Sequence, residues 1–142
     1  MFASTYNSRS LRGLPHSDLY QQVGVETRVL GATPHALVAM LFEGFLDAVI
    51  LARRALQNHD IAGKGQAIAR AVRIIDEGLR AGLDLKAGGT LAQDLHDLYG
   101  YLTMRLTLAN VRNDDEALAE CQRLMRPLHE AWIAIGPQVD RG

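Results

Sequence analysis

Four segments of this chain repeat apolar side chains with the spacing of an amphipathic α-helix, and this pattern limits the fold more than any other feature. No segment alternates apolar and polar residues with a period of two, so the sequence offers no strand for a sheet. Helices of roughly 20 residues joined by short connections must run antiparallel to their neighbours. The sequence therefore predicts an all-α fold: an antiparallel up-and-down four-helix bundle with a flexible N-terminal arm and a short extra N-terminal helix.

The first long helix is predicted to start at Thr33. Thr33 is a good N-cap, and Pro34 fits the first helical position, where no backbone N–H is needed. Two apolar stripes lie side by side on this helix, so it should contact neighbours on two sides. One stripe comprises Leu37, Leu41, Gly44, Ala48, Leu51 and Ala55, and the other comprises Val38, Phe42, Phe45, Val49, Ala52 and Leu56.

Breaks in the pattern predict the bounds of the other three helices. Residues 58–60 should end the first helix and cap the second, which is expected to end near Leu83. Gly-Gly-Thr at 88–90 should mark the start of the third helix. Asn113, followed three residues later by Glu116, forms a capping-box pattern before the fourth. The apolar stripe of the second helix comprises Ile61, Ile68, Val72, Ile75 and Leu79. That of the third comprises Leu91, Leu95, Leu98, Leu102, Leu106 and Ala109, and that of the fourth comprises Ala117, Cys121, Leu124, Leu128 and Ala131.

The chain has 142 residues, a length that suits one domain around one core. Residues 1–17 are rich in Ser, contain Gly and Pro, and lack a sustained apolar period, so they are predicted to form the flexible arm. Residues 18–30 show only a weak helical pattern, interpreted as the short extra helix. The predicted divisions are the arm at 1–17, the helical-bundle domain at 18–136 and a C-terminal tail at 137–142.

Charge and cysteine content restrict the partners and the compartment. Fifteen Lys and Arg residues against sixteen Asp and Glu residues leave the net charge near zero, which predicts no nucleic-acid partner. Glu43 and Asp47 interrupt the strongest apolar run, at 36–52, and a charge near the bilayer centre costs about 2.5–3.5 kcal/mol. We therefore expect a core helix and no membrane insertion. With no apolar signal segment and one cysteine, Cys121, the predicted location is the cytoplasm.

Metal-site patterns are weak. Di-iron sites in helical bundles use Glu-x-x-His pairs that project inward. The residues three before His35, His59, His96 and His129 are Ala32, Leu56, Gln93 and Arg126. None of these is a glutamate. Asp94, His96 and Asp97 lie close in sequence, but they face several directions on a helix, which favours a solvated face over a metal site.

Nucleotide and nucleophile motifs are equally weak. Gly63-Lys64-Gly65 looks superficially like a phosphate loop, but no strand precedes it and the Gly-Lys-Ser/Thr ending is missing. Cys121 falls in the apolar stripe of the fourth predicted helix, where a free cysteine acts as a small hydrophobe, and no His stands one turn away to activate it. We therefore predict a protein that is not an enzyme, with no catalytic residue, no metal and no cofactor.

Apolar side chains exceed what a narrow bundle seam needs. The second predicted helix adds Ile74 beside Ile75, and the third adds Tyr99 and Tyr101 beside its leucines. Two explanations remain open. The excess can fill a wide core, or it can form an exposed groove that accepts an amphipathic partner segment.

Short motifs between residues 20 and 132 match a known family in their order and spacing: the chain resembles the FliS family of flagellin export chaperones. Each motif is weak alone, but the ordered set is specific. The matching residues are Tyr20 with Val25-Glu26, Ala32-Thr33-Pro34-His35, Met40-Leu41-Phe42-Glu43-Gly44, Asp60 with Gly63-Lys64-Gly65, Ile74-Ile75-Asp76, Gly78-Leu79, Leu83-Asp84, Gly88-Gly89, Leu98-Tyr99, Tyr101, Arg105-Leu106, Ala109-Asn110, Asn113-Asp114 and Trp132.

The resemblance implies a helical bundle that binds the disordered C-terminal segment of newly made flagellin. It also implies that the protein prevents premature polymerisation of flagellin and assists its delivery to the flagellar type III export apparatus. The family's N-terminal tyrosine, matched here by Tyr20, would help to form the binding region. The flagellar export gate as a further partner and a homodimer are left open. The alternative is a helical-bundle interaction module with a structural or regulatory role.

We expect a near-neutral protein to hold its partner through apolar anchors that enter grooves beside the second and third helices. Salt should then have little effect on affinity. Helical periodicity alone leaves open which of the candidate side chains face the core. The candidate partner-binding residues are Tyr20, Ile68, Ile75, Leu79, Leu91, Leu95, Leu98 and Leu102.

Overall fold

The computed structural model describes residues 31–136, which form helices without a strand. Residues 1–30 and 137–142, which hold Tyr20, the predicted arm, the short extra helix and the tail, lie outside this part. The helices are α1 (Pro34–Gln57), α2 (Ile61–Arg73), a π-helical segment (Ile74–Arg80) that continues α2, α3 (Gly89–Arg112) and α4 (Asp115–Ile135).

The helices pack as the four-helix bundle that the sequence predicts. α1 packs against α2 and α4, and α3 packs against the same two helices, so α1 and α3 lie on a diagonal. The short connections make successive helices antiparallel. The prediction of an all-α, up-and-down bundle is thus confirmed. The largest fully buried side chains are Phe45, Val49, Ile74, Ile75, Leu102, Leu106, Leu118, Cys121 and Met125.

Local capping signals place the starts of α1 and α2 where the sequence predicts them. The Thr33 hydroxyl accepts the backbone N–H of Ala36 at 3.1 Å. The Asp60 carboxylate accepts the N–H of Gly63 at 2.9 Å. Each bond satisfies one of the N–H groups that a helix start leaves without an intrahelical acceptor.

The predicted cap of α4 is wrong by one residue. Asn113 adopts a left-handed conformation, with φ 54°, and ends α3, while Asp114 is the N-cap of α4. The Asp114 carboxylate accepts the N–H groups of Glu116 at 3.0 Å and Ala117 at 3.3 Å. Asn tolerates left-handed backbone better than most residues, so Asn113 is well suited to the turn between the two helices.

The second helix also differs from its prediction, which was a regular α-helix to about Leu83. Its α-helical part ends at Arg73 and π-helical hydrogen bonding continues to Arg80. A π turn bonds residue i to i+5, so it has one residue more than an α turn. Ile74, Ile75 and Leu79 are all buried in this segment, so the wider turn serves to direct three large side chains to the core.

Four residues of the predicted stripes are exposed and lie outside the core: Leu51, Ile61, Leu91 and Ala131. Ile61 is 59% exposed because it lies in the first turn of α2, at the end of the bundle. Leu51 is 45% exposed and lies beside α2. α1 nevertheless contacts neighbours on two sides, as predicted.

α1 is long and apolar enough to cross a membrane by length and composition alone. Much of its apolar surface is packed inside the bundle, where Phe45, Ala48 and Val49 are fully buried. This packing is what we expect of a core helix in a bundle.

Candidate partner-binding surface

Polar contacts hold the middle of α3 against α4. The Tyr101 hydroxyl donates to the Glu120 carboxylate at 2.8 Å, and the Arg105 guanidinium donates to its other oxygen at 2.6 Å. The Tyr101 bond, joined by that of Arg105, lowers the pKa of Glu120 because both stabilise the charged carboxylate. These contacts fix which faces of the two antiparallel helices meet.

Half-buried leucines extend the contact between α3 and α4 towards the N-terminus of α3. Leu98 lies one turn before Tyr101 on α3, and Leu124 lies one turn after Glu120 on α4. Because the helices are antiparallel, both leucines lie on the same side of the polar contacts. We call the surface formed by Leu91, Leu95, Leu98, Leu124 and Leu128 the α3–α4 strip. Apart from Leu91, these side chains are partly buried and pack against the core.

The strip offers apolar surface to solvent. Leu91 is 69% exposed, since it lies in the first turn of α3 with little packed over it. Leu95, Leu98, Leu124 and Leu128 each keep an exposed fraction while they contact the core. Exposed apolar side chains that adjoin one another are typical of surfaces that bind a protein partner.

The structure separates the sequence-predicted candidates into two groups. Leu91, Leu95 and Leu98 lie on the α3–α4 strip, where a partner can reach them. Tyr20 lies outside the described residues. The remaining four are core side chains that keep at most 6% of their surface exposed: Ile68, Ile75, Leu79 and Leu102.

The sequence predicts a groove beside the second and third helices, and this prediction does not include the two leucines of α4 that lie on the strip. Leu124 and Leu128 were assigned to the core stripe of the fourth helix. They follow Glu120 at a spacing of four residues, which is the one local signal that they share its face. Which helix that face meets depends on tertiary packing.

A clasp joins the start of α1 to the end of α4. The His35 ring lies 2.7 Å from the backbone oxygen of Trp132 through Nε2, and the Trp132 indole N–H donates to the backbone oxygen of His35 at 2.9 Å. The two rings stack with centroids 5.0 Å apart. Because a carbonyl can only accept, the first bond requires a proton on Nε2. The clasp ties together two of the motifs that carry the family resemblance.

The other two buried polar side chains are also hydrogen-bonded. Gln122 accepts from the Arg53 guanidinium at 2.5 Å, and Arg53 also forms a two-pronged pair with Asp115, at 2.9 Å for each bond. This network links α1 to α4. The Lys64 ammonium donates to the backbone oxygen of Asn110 at 2.8 Å and to the side-chain oxygen of Asn113.

These contacts give the Gly63-Lys64-Gly65 motif a structural role. The Lys64 ammonium lies at the C-terminus of α3, where the helix dipole favours a positive charge. A phosphate-binding lysine would instead have its ammonium free to reach a ligand. The motif therefore joins α2 to the end of α3.

Cys121 is fully buried, and burial raises the pKa of its thiol to about 12. A thiol in this state is a poor nucleophile. Within residues 31–136, no group of three or more His, Cys, Asp or Glu side chains is arranged to hold a metal ion.

Comparison with known proteins identifies close similarity along most of the chain. The family model described as "Flagellar protein FliS" matches residues 16–139. The flagellar secretion chaperone FliS of Salmonella typhimurium is 45% identical over 119 residues, which cover 84% of this chain and 88% of that protein. The flagellar secretion chaperone FliSB of Pseudomonas aeruginosa is 40% identical over 116 residues, or 82% and 91% of the two chains. FliS of Bacillus subtilis is 34% identical over 113 residues, or 80% of each chain.

Proposed function

The chain belongs to the FliS family, and on that premise we propose that it is a cytoplasmic export chaperone for flagellin. It binds the disordered C-terminal segment of flagellin, prevents premature polymerisation and assists delivery to the flagellar type III export apparatus. The observation that carries this proposal is the match of 119 residues with a protein named as a flagellar secretion chaperone. The flagellar export gate is a further partner under the same proposal.

The α3–α4 strip supports a binding role. A segment that folds into an amphipathic helix can lay its apolar side into a groove between two helices, with anchors spaced by three or four residues. Leu91, Leu95 and Leu98 are spaced by four and three residues on α3, so a helical partner can meet all three. Fully burying a leucine side chain contributes about 1.5–3 kcal/mol, and since Leu95 and Leu98 are already partly buried, each of these two adds less.

The four buried candidates have a different part in this proposal. Ile68, Ile75, Leu79 and Leu102 hold the helices in place beneath the surface, so their truncation should lower stability first. Tyr20 stays a prediction of direct contact, because an aromatic side chain with a polar tip can cover an apolar groove and keep its hydroxyl in water.

The test is binding of a labelled peptide with the flagellin C-terminal sequence, measured by fluorescence anisotropy. Leu98→Ala and Leu91→Ala should each weaken binding by about 1–3 kcal/mol, because both remove an apolar anchor. Val111→Ala is the matched control: Val111 also lies on α3 and is 74% exposed, but it is not part of the strip. Affinity should change little between low and moderate salt.

Equal effects of the strip variants and the control would refute the strip as the binding surface. A tenfold or greater fall in affinity with salt would show that charge pairing dominates. A full chain that does not bind the peptide would favour the alternative, a helical-bundle module with a structural or regulatory role.

A further inference from the structure

A groove runs between α1 and α2, on a different helix pair from the α3–α4 strip. Each helix contributes side chains at positions i, i+3, i+4 and i+7, so each presents one continuous face. Ala55, Gly63 and Ala67 are small, which makes the surface concave, with a cavity of about 470 Å³. The lining residues are Leu51, Arg54, Ala55, Asn58, Asp60, Gly63, Gln66, Ala67 and Arg70.

Two arginines line this groove without a carboxylate partner among residues 31–136. The Nε of Arg70 is buried and has no hydrogen-bond acceptor in this part of the chain. Buried donors almost always have an acceptor, and a charged donor without one is costly. Arg54 likewise has no ion pair with a described residue. By contrast, Arg53 and Arg105 each hold a carboxylate, at 2.9 Å and 2.6 Å.

The acidic residue of the groove does not supply the missing acceptor. Asp60 lies at the turn between α1 and α2, and its carboxylate accepts the N–H of Gly63. Neither Arg54 nor Arg70 forms an ion pair with Asp60 in the described part of the chain, and Arg70 lies about two turns after Gly63. The groove therefore combines an apolar floor with two cations available to an incoming acid.

We propose that the α1–α2 groove is a second docking surface, which binds an acidic amphipathic helix of a partner protein. A Glu or Asp of the partner pairs with the terminal nitrogens of the Arg70 guanidinium, because the side chain is partly exposed in the groove and only its Nε is buried. Arginine favours such two-pronged binding of a carboxylate. Small apolar side chains of the partner pack on Ala55 and Ala67. The lining residues span eight positions on each side of the groove, 51–58 and 63–70, which is about 10 Å or two helical turns.

This inference goes beyond the proposed binding of flagellin, because it concerns other helices and a partner recognised by charge. Binding at the α3–α4 strip should depend little on salt, whereas binding in the α1–α2 groove should weaken as salt screens the ion pairs. The two surfaces can therefore be tested separately, and either can fail without the other.

The experiment uses the full ¹⁵N-labelled chain and a synthetic 12-residue peptide of Ala, Leu and Glu with an amphipathic helical pattern and blocked termini. A second peptide with Gln in place of every Glu is the control ligand. The Glu peptide should shift the backbone amide resonances of residues 51–58 and 63–70. It should bind at least about tenfold more tightly than the Gln peptide, as expected of charge-assisted hydrogen bonds.

Arg70→Gln should weaken binding of the Glu peptide by about tenfold or more, because it removes the charged donor. Thermal unfolding of this variant shows whether it remains folded, and Arg54→Gln, at an exposed position, provides a second test that should also lower affinity. Arg126→Gln is the matched control on α4 and should leave affinity unchanged. The proposal is overturned if the Glu and Gln peptides bind alike or if Arg54→Gln and folded Arg70→Gln bind as the unaltered chain does. It is also overturned if millimolar Glu peptide shifts no resonance of the groove.

Discussion

Replacing Lys64 by Met tests whether a buried ammonium holds the end of α3 in place. Lys64 is 3% exposed, and its ammonium donates to the backbone oxygen of Asn110 and the side chain of Asn113. The backbone N–H of Asp114, which would bond Asn110 if the helix continued, donates to Ala109 instead, at 3.1 Å. Within the described structure, the backbone oxygen of Asn110 therefore depends on the Lys64 ammonium for its hydrogen bond.

Met keeps most of the volume of Lys and removes the donor. A hydrogen bond to a charged group contributes about 1.5–3 kcal/mol, and water can take the place of the ammonium at both acceptors because Asn110 and Asn113 are exposed residues. Met also avoids the free-energy cost of burying the Lys64 charge, which offsets part of this loss. We expect Lys64→Met to lower the free energy of unfolding by about 1–2 kcal/mol.

The assay is urea unfolding followed by far-UV circular dichroism. If the slope of the unfolding free energy against urea concentration is unchanged, the variant differs only in stability. Lys86→Met, at an exposed position between the π-helical segment and α3, is the control and should change stability by less than about 0.5 kcal/mol. Asn113→Gly removes the second acceptor and still permits the positive φ. In a double-mutant cycle, Lys64→Met and Asn113→Gly should show coupling of about 1 kcal/mol. A loss below about 0.5 kcal/mol for Lys64→Met would refute the reasoning.

Three further predictions concern the core, the clasp and the thiol. Leu106→Ala should cost about 2–5 kcal/mol of unfolding free energy, whereas Leu91→Ala should cost less than about 0.5 kcal/mol in the same urea titration, and equal losses would contradict the assigned burial. Trp132→Phe, which keeps an aromatic ring but removes the donor to His35, should cost about 0.5–1.5 kcal/mol by thermal unfolding, and an unchanged midpoint would show that the clasp is not stabilising. Cys121 should resist iodoacetamide at pH 8 in the native chain and react in urea, and rapid native labelling would contradict its burial. Burial raises the pKa of the Cys121 thiol from 9.0 to about 12. The contribution of the protonated thiol to stability is therefore present below pH 9 and lost as the pH rises to 12. Cys121→Ala should reduce the fall in stability over that range.

The sequence predicts where a helix begins when only one residue at that point is suited to be the N-cap. Thr33 with Pro34 and Asp60 are such cases, and each is found as predicted. Asn113 and Asp114 can both act as an N-cap, so the sequence alone does not decide between them. In the structure the Asn113 side chain accepts from Lys64, which lies on another helix 49 residues away in the chain, and Asp114 caps α4.

The candidate surface is harder to predict because helical periodicity marks an apolar face without naming the neighbour. Leu98 and Leu102 are four residues apart on α3, yet Leu102 is fully buried and Leu98 only partly. The difference arises from how α2 and α4 approach α3. Periodicity also misses the π-helical segment, since Ile74 and Ile75 are adjacent apolar residues in either kind of helix.

Long-range polar contacts carry no local signal at all. His35 and Trp132 are 97 residues apart, and the family resemblance includes both without indicating that they touch. Their contact needs the start of α1 to meet the end of α4, which follows from the up-and-down topology once the helices have been placed.

The most direct test of the proposed function is calorimetric titration of the full chain with a peptide of the flagellin C-terminal segment at several temperatures. A disordered segment that folds onto an apolar surface buries apolar area, so its binding should show a strongly negative heat-capacity change. We predict saturable binding with this signature, and a weaker affinity for the Leu98→Ala variant. The absence of saturable binding, with the chain shown to be folded by circular dichroism, would contradict a flagellin chaperone.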